Sequence, residues 1–134
     1  MRHFVVPFDD SPSTQRALRL AVDLAGSEGT VVLIWVLPGS MVDKGLSPGE
    51  RGRVRRDAEN GARARAAARL AELAPGADCH VVVLFGDVVS DTLLLAANLG
   101  VDAIVMAAED PAVSAMIAES EIPVVVAPQA EAPA

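Results

Sequence analysis

Apolar positions recur along this chain in two alternating rhythms, short continuous runs and helical stripes. His3 to Phe8 is nearly all apolar and stops at Asp9-Asp10, the pattern of a buried strand. Ser11-Pro12 follows as a side-chain cap with proline in the first helical position. Ala17, Leu20, Ala21 and Leu24 then repeat at helical spacing, with Gly29 just past the helix end. Thr30 to Leu37 is a second apolar strand, and Pro38 to Leu46 reads as a loop. Ser47-Pro48-Gly49-Glu50 has the form of a capping box. The helix it opens runs to Ala74 on a narrow stripe of Val54, Ala58, Ala62, Ala66, Leu70 and Leu73, and Pro75-Gly76 stops it.

Cys79 to Phe85 gives a third strand, after which Gly86-Asp87 turns into a helix through Leu99, with Gly100 beyond it. Asp102 to Ala107 is the fourth strand. Asp110-Pro111 repeats the cap-plus-proline start and predicts a short helix ending near Glu121. Pro123 to Ala127 is the fifth strand. Residues 1–128 thus form one domain, and 129–134 a flexible tail. Valine-rich strands alternating with helices specify an α/β fold, a doubly wound, Rossmann-like parallel sheet of five strands. Such a sheet binds ligands beyond the carboxyl ends of its strands, where strand order reverses. That rim should carry Asp9-Asp10, the Pro38–Leu46 loop, Gly86-Asp87 and the Ala108–Pro111 turn.

Composition narrows the setting. Hydrophobic residues make up 51% of the 134, mostly alanine and valine, with no tyrosine and one tryptophan. Small aliphatics suit a parallel sheet under alanine-rich helices. No apolar run reaches the ~20 residues of a membrane helix, and Asp9-Asp10 interrupts any secretory leader almost at once. A lone cysteine, Cys79, forms no internal disulfide. The expected location is the cytoplasm, without membrane attachment.

Net charge is −7, which argues against nucleic acid as a partner. The charge is uneven. Arg51, Arg53, Arg55, Arg56, Arg63, Arg65 and Arg69 stand against only Asp57 and Glu59, so residues 51–69 carry +5 and the remainder −12. This run reads as the solvated side of the long second helix, with a basic docking stripe as the alternative.

Most catalytic signals are absent. The chain has no G-x-G-x-x-G, Walker or G-x-S-x-G sequence. His3 and His80 start strands without metal-ligand spacing. Cys79 and His80 are adjacent on a strand and point to opposite faces, so they do not form a nucleophile–base pair. A phosphoacceptor receiver needs a lysine after its fifth strand, and the only lysine is Lys44.

Five segments, in order, resemble the universal stress protein family along nearly the whole chain. Phe4-Val5-Val6-Pro7-Phe8-Asp9-Asp10-Ser11 is similar to that family's opening V-P-V-D-G-S strand. Val36-Leu37-Pro38 resembles the end of its second strand, and Gly86-Asp87 its G-D before the third helix. Leu99-Gly100-Val101-Asp102-Ala103-Ile104-Val105-Met106 resembles its L-G-A-D-L-I-V-M-G segment, and Ile122-Pro123-Val124-Val125-Val126 its final C-P-V-L-V-V strand.

The resemblance implies strand order 3-2-1-4-5, a role in stress response, and a homodimer joined through Pro123, Val124, Val125, Val126 and Ala127. It also implies adenine-nucleotide binding, with Asp9 and Val36 as candidate cofactor contacts. The family's phosphate loop, G-x-x-G followed by G-S or G-T, works because glycines let backbone amides approach an anion. Here that loop is missing: Ala107 to Ile122 contains no glycine, and Glu109, Asp110 and Pro111 stand in its place. Asp10 replaces the family's glycine after the first strand. Asp110 as a helix cap and Glu109 as a dipole partner account for the two acids, and the alternative is a divalent cation held by Asp9, Asp10, Glu109 and Asp110. The expectation is a regulatory or interaction module with an unidentified protein partner, not an enzyme and without ATP as a cofactor. Alternatives are a nucleotide-binding member with an altered phosphate site, or a weak nucleotide hydrolase.

Overall fold

The structure, a computed structural model, describes residues 2–42 and 45–129. Most of the tail expected at 129–134 lies outside the described residues, as does Lys44. Five strands alternate with four α-helices: β1 (His3–Pro7), α1 (Pro12–Ala25), β2 (Thr30–Pro38), α2 (Pro48–Leu73), β3 (Cys79–Gly86), α3 (Val88–Leu99), β4 (Ala103–Ala107), α4 (Val113–Glu119) and β5 (Val124–Ala127). All strand pairs are parallel, and the order is β3-β2-β1-β4-β5. This is the architecture expected from the alternation of patterns.

Each strand buries both faces, and its side chains alternate between two cores. Phe4, Val6, Leu33, Trp35, Val83 and Val105 point to one side. There the small faces of α1 (Ala17, Ala21, Ala25) and α2 (Ala62, Ala66) let the helices lie close. Val5, Ile34, Ile104 and Met106 point to the other side, under Ala96 of α3 and Met116 of α4. In the first core Phe8 meets Trp35 edge-on, with ring centroids 5.8 Å apart.

Some element boundaries differ from the pattern-based reading. Helix α1 stops at Ala25, because Gly26 takes a positive φ of 64° there. Gly29 has a different role: a Cβ at this position would collide with the backbone carbonyls of Arg2 and Ala25. Residues Gly39–Val42 form a 3-10 helix within the expected loop. Helix α4 begins at Val113 rather than after Asp110, and its N-cap position, Ala112, makes no side-chain hydrogen bond.

Pro7 in the central strand has a physical account. Phe8 N–H donates to the Ile34 carbonyl at 2.9 Å, so the backbone of Pro7 one residue earlier faces β4. Pairing between β1 and β4 covers only Phe4–Ala103 and Val5–Ile104. The ladder with β4 therefore ends where Pro7 has no N–H to donate. The candidate site lies at the carboxyl ends of these strands.

Candidate functional site at the carboxyl ends of the strands

The turn from β1 into α1 is built by short polar side chains. Asp9 Oδ1 accepts from the Ser11 N–H at 2.9 Å and lies 3.1 Å from the Thr14 hydroxyl. Ser11 caps α1 by accepting from the Thr14 N–H at 3.3 Å. Burial alone would raise the Asp9 pKa, but the hydrogen bonds from Ser11 and Thr14 outweigh it and hold the carboxyl below its ordinary value. Asp9 is therefore a carboxylate fixed in direction by its own turn.

Asp10 takes a left-handed conformation with φ 65°, the only non-glycine to do so among the described residues. Arg69 of α2 holds its carboxylate, Nε to Oδ1 at 2.8 Å and Nη2 to Oδ2 at 3.4 Å. Arg65 stands 3.8 Å from the same group. Gln15 donates to the Asp10 carbonyl at 2.9 Å. The hydrogen bond that Arg69 donates to Asp10, helped by charge, holds its guanidinium above its usual pKa despite opposing desolvation.

Across the rim, the turn after β4 is acidic. Glu109 is paired with Arg16 of α1, and this hydrogen bond is the main reason its pKa is lowered. Arg16 Nε is left buried without a partner. Asp110 Oδ1 accepts from the Ala112 N–H at 2.9 Å, closing a turn two residues long. Asp110 therefore does not cap α4, as the cap-plus-proline pattern predicted. Its short side chain is satisfied locally, and the helix starts three residues later.

Between these turns lies a cavity of about 280 Å³, with walls that include Pro7, Asp9, Ile34, Val36, Val88 and Asp110. Asp9 and Val36, the two candidate cofactor contacts, thus line one space. Asp10 and Glu109 do not line it, and each is engaged by arginine. Among the described residues no three His, Cys, Asp or Glu side chains come together as a metal-holding group, so the four acids do not converge.

The model of the universal stress protein family matches residues 1–128. The chain belongs to this family. Solved structures agree on the fold. The chain is similar to the protein MJ0577, with TM-score 0.81 and 17% identity over 98% of both chains. It is similar to UspA of Lactobacillus plantarum, with TM-score 0.73 and 18% identity over 93% of this chain and 96% of that one. It is also similar to the universal stress protein of Archaeoglobus fulgidus in complex with dAMP, with TM-score 0.62 and 20% identity over 94% and 96% of the two chains. No curated protein sequence matches the chain.

The family's glycine-rich phosphate loop has no counterpart in this chain, since Ala107 to Ile122 contains no glycine. The turn that should present amides presents Glu109, Asp110 and Pro111; the Ala112 N–H is already taken by Asp110, and proline has none. The helix behind it spans only seven residues. The cavity itself remains, with apolar walls from Ile34, Val36 and Val88.

Other candidates stay apart from this rim. Cys79 packs toward the α1–α2 core, and burial pushes its thiol up, with Asp78 adding to the shift. His80 instead meets Asp78, Nε2 to Oδ1 at 3.0 Å. Strand β5 forms a sheet edge with Val126 exposed, while Pro123 precedes the strand and accepts from Ile104 N–H at 3.0 Å. The site's arginines carry no local sequence signal: Arg69 reaches Asp10 across 59 positions and Arg16 reaches Glu109 across 93.

Proposed function

We propose that this universal stress protein family member is a regulatory or interaction module of the stress response, not an enzyme, and that it does not bind ATP through a phosphate cradle. The observation that carries the reading is the turn after β4. Its two acids are held in place by Arg16 and by the Ala112 amide, and Asp110 lines the cavity. A triphosphate entering there meets fixed carboxylates. Unit charges 4 Å apart repel by about 4 kcal/mol at an effective dielectric of 20. Hydrolysis is not favoured by any grouping of side chains: among the described residues no three His, Cys, Asp or Glu come together to hold a metal.

A second reading is favoured by the cavity. Structural relatives include proteins in complex with cAMP, AMP and dAMP. The space joining Asp9 to Val36 has apolar walls suited to a base, and Asp9 offers an acceptor to a sugar hydroxyl. In that reading the pocket takes the nucleoside part and leaves phosphate outside. Calorimetry with magnesium and ATP, and with adenosine, separates the two. The main reading expects no heat beyond dilution from ATP. Micromolar ATP affinity overturns it, and adenosine binding alone supports the pocket reading.

The module also acts, in this proposal, as a homodimer in the cytoplasm. The edge of β5 supports that reading: among the described residues Val124–Ala127 pairs only with β4, and the strand carries no charged residue. Pro123 and Pro128 bracket the segment and limit its pairing to a few residues, which favours a closed two-fold pair over a growing sheet. Among the described residues no helix is long and apolar enough to cross a membrane.

A further inference from the structure

Among the described residues the opposite edge of the sheet, β3, also lacks a further strand, and its surroundings are of another kind. Val31 N–H donates to the Asp78 carbonyl at 3.0 Å, which fixes the alternation that follows. His80, Val82 and Leu84 address β2 with their backbone groups, while Cys79, Val81, Val83 and Phe85 turn theirs outward. Helix α2 reaches this outward row with two exposed arginines. Arg63 Nη1 donates to the Val81 carbonyl at 3.0 Å, and the Arg55 guanidinium lies 4.6 Å from the centre of the Phe85 ring. Positions 55, 59 and 63 are successive turns on one face of the helix, so this face overhangs the edge. Glu59 between them is 3.9 Å from Arg63. On the other side of the sheet, Val82 is half-buried beside an apolar cavity of about 370 Å³, lined also by Val32, Leu95 and Leu99.

We propose that the β3 edge is a docking site for an extended segment of a partner protein in which acidic and apolar residues alternate, added to the sheet as a further strand. Four outward residues supply the backbone half of the ladder. Side chains of an added strand alternate between the two sides of the sheet. On the α2 side they meet Arg55 and Arg63, which call for carboxylates; on the α3 side they meet Val82 and the apolar cavity, which call for valine or leucine. The rest of the chain carries −12, so residues 51–69 are where an acidic partner can approach. The bond from Arg63 to Val81 holds the edge until a partner carboxylate takes over the guanidinium. A guard against self-pairing is the competing role for the same arginine.

Fluorescence anisotropy on the full chain tests this with a labelled peptide of alternating glutamate and valine, matched to the eight residues of β3. At low salt, about 50 mM, saturable binding is expected, and the same peptide with lysine for glutamate should not bind. N-methylation of alternate peptide amides should weaken binding by about tenfold or more, because it removes ladder donors but no charge. The double variant Arg55→Glu/Arg63→Glu should weaken it at least as much, with Arg55→Gln/Arg63→Gln as the milder pair if the first fails to fold by circular dichroism. Absence of saturation overturns the proposal. Equal affinity of the N-methylated peptide overturns it too, since charge alone would then explain binding. Self-association of Arg63→Ala in sedimentation, with no peptide binding by the wild type, assigns the arginine to guarding the edge.

Discussion

Asp10 holds a backbone conformation that costs an L-residue about 1–2 kcal/mol, least for Asp and Asn. Its side chain is 9% exposed and is gripped by Arg69, so the strained position is also the anchor of α2 to the β1–α1 turn. Substitution should separate these two contributions. Asp10→Gly and Asp10→Ala both lose the arginine contacts, but only glycine relieves the backbone. Chemical denaturation should find the alanine variant less stable than the glycine variant by about 1 kcal/mol. Equal stabilities would show that the backbone relaxes. Asp9 gives a prediction in pH. Its carboxyl is held below its ordinary value, so its stabilisation is complete at neutral pH and is lost as pH falls through the folded value. Asp87, lowered by hydrogen bonds with Ser90, and Glu109, lowered by Arg16, act in the same direction. The denaturation midpoint should therefore drop as pH falls below about 5, and go on dropping through the lowered folded values. Asp9→Asn should start lower at neutral pH and lose less on acidification. The same acid loss in variant and wild type would show that the Asp9 carboxylate is not held.

Among the elements, helix starts test how local chemistry was read. Ser11 and Ser47 cap their helices as the sequence pattern indicates, because the cap residue and the amide it binds lie within three positions. Ser11→Ala should cost about 1 kcal/mol in denaturation, and a change within error would mean that the Asp9 turn alone holds the helix start. At Asp110 the same dipeptide signature misleads, since an aspartate can equally bond the amide two residues on. The strands, their order and the acidic turn were legible because periodicity and family resemblance both act along the chain. The arginine contacts were not, since the seven arginines of α2 look alike in sequence. Only the packing of α2 over the sheet separates Arg69, on Asp10, from Arg53, which faces solvent. At the β5 edge, Val126 is the residue to change, because it is exposed whereas Val125 packs onto the α1–α2 core. Val126→Lys should convert a sedimenting dimer to monomer without lowering stability. A wild type that is already monomeric at tens of micromolar rules this interface out.

At the scale of the whole molecule, two cores share one thin sheet, and the largest fully buried side chains are leucine, isoleucine, valine and methionine. Such a core has few large residues to lose. Leu33→Ala, at 0% exposure in the α1–α2 core, should cost about 2–5 kcal/mol by denaturation. A smaller loss would show that the alanine-rich helices settle into the gap. The aromatic pair in that same core has an optical consequence. Trp35 is the only tryptophan and the chain has no tyrosine, so emission excited to the red of the phenylalanine band comes from one indole. That indole touches Phe8, which itself lines the cavity at the carboxyl ends of the strands. The protein therefore carries its own unlabelled fluorophore, one residue away from any guest in the pocket. A single emission trace can follow both unfolding of the sheet and filling of the site.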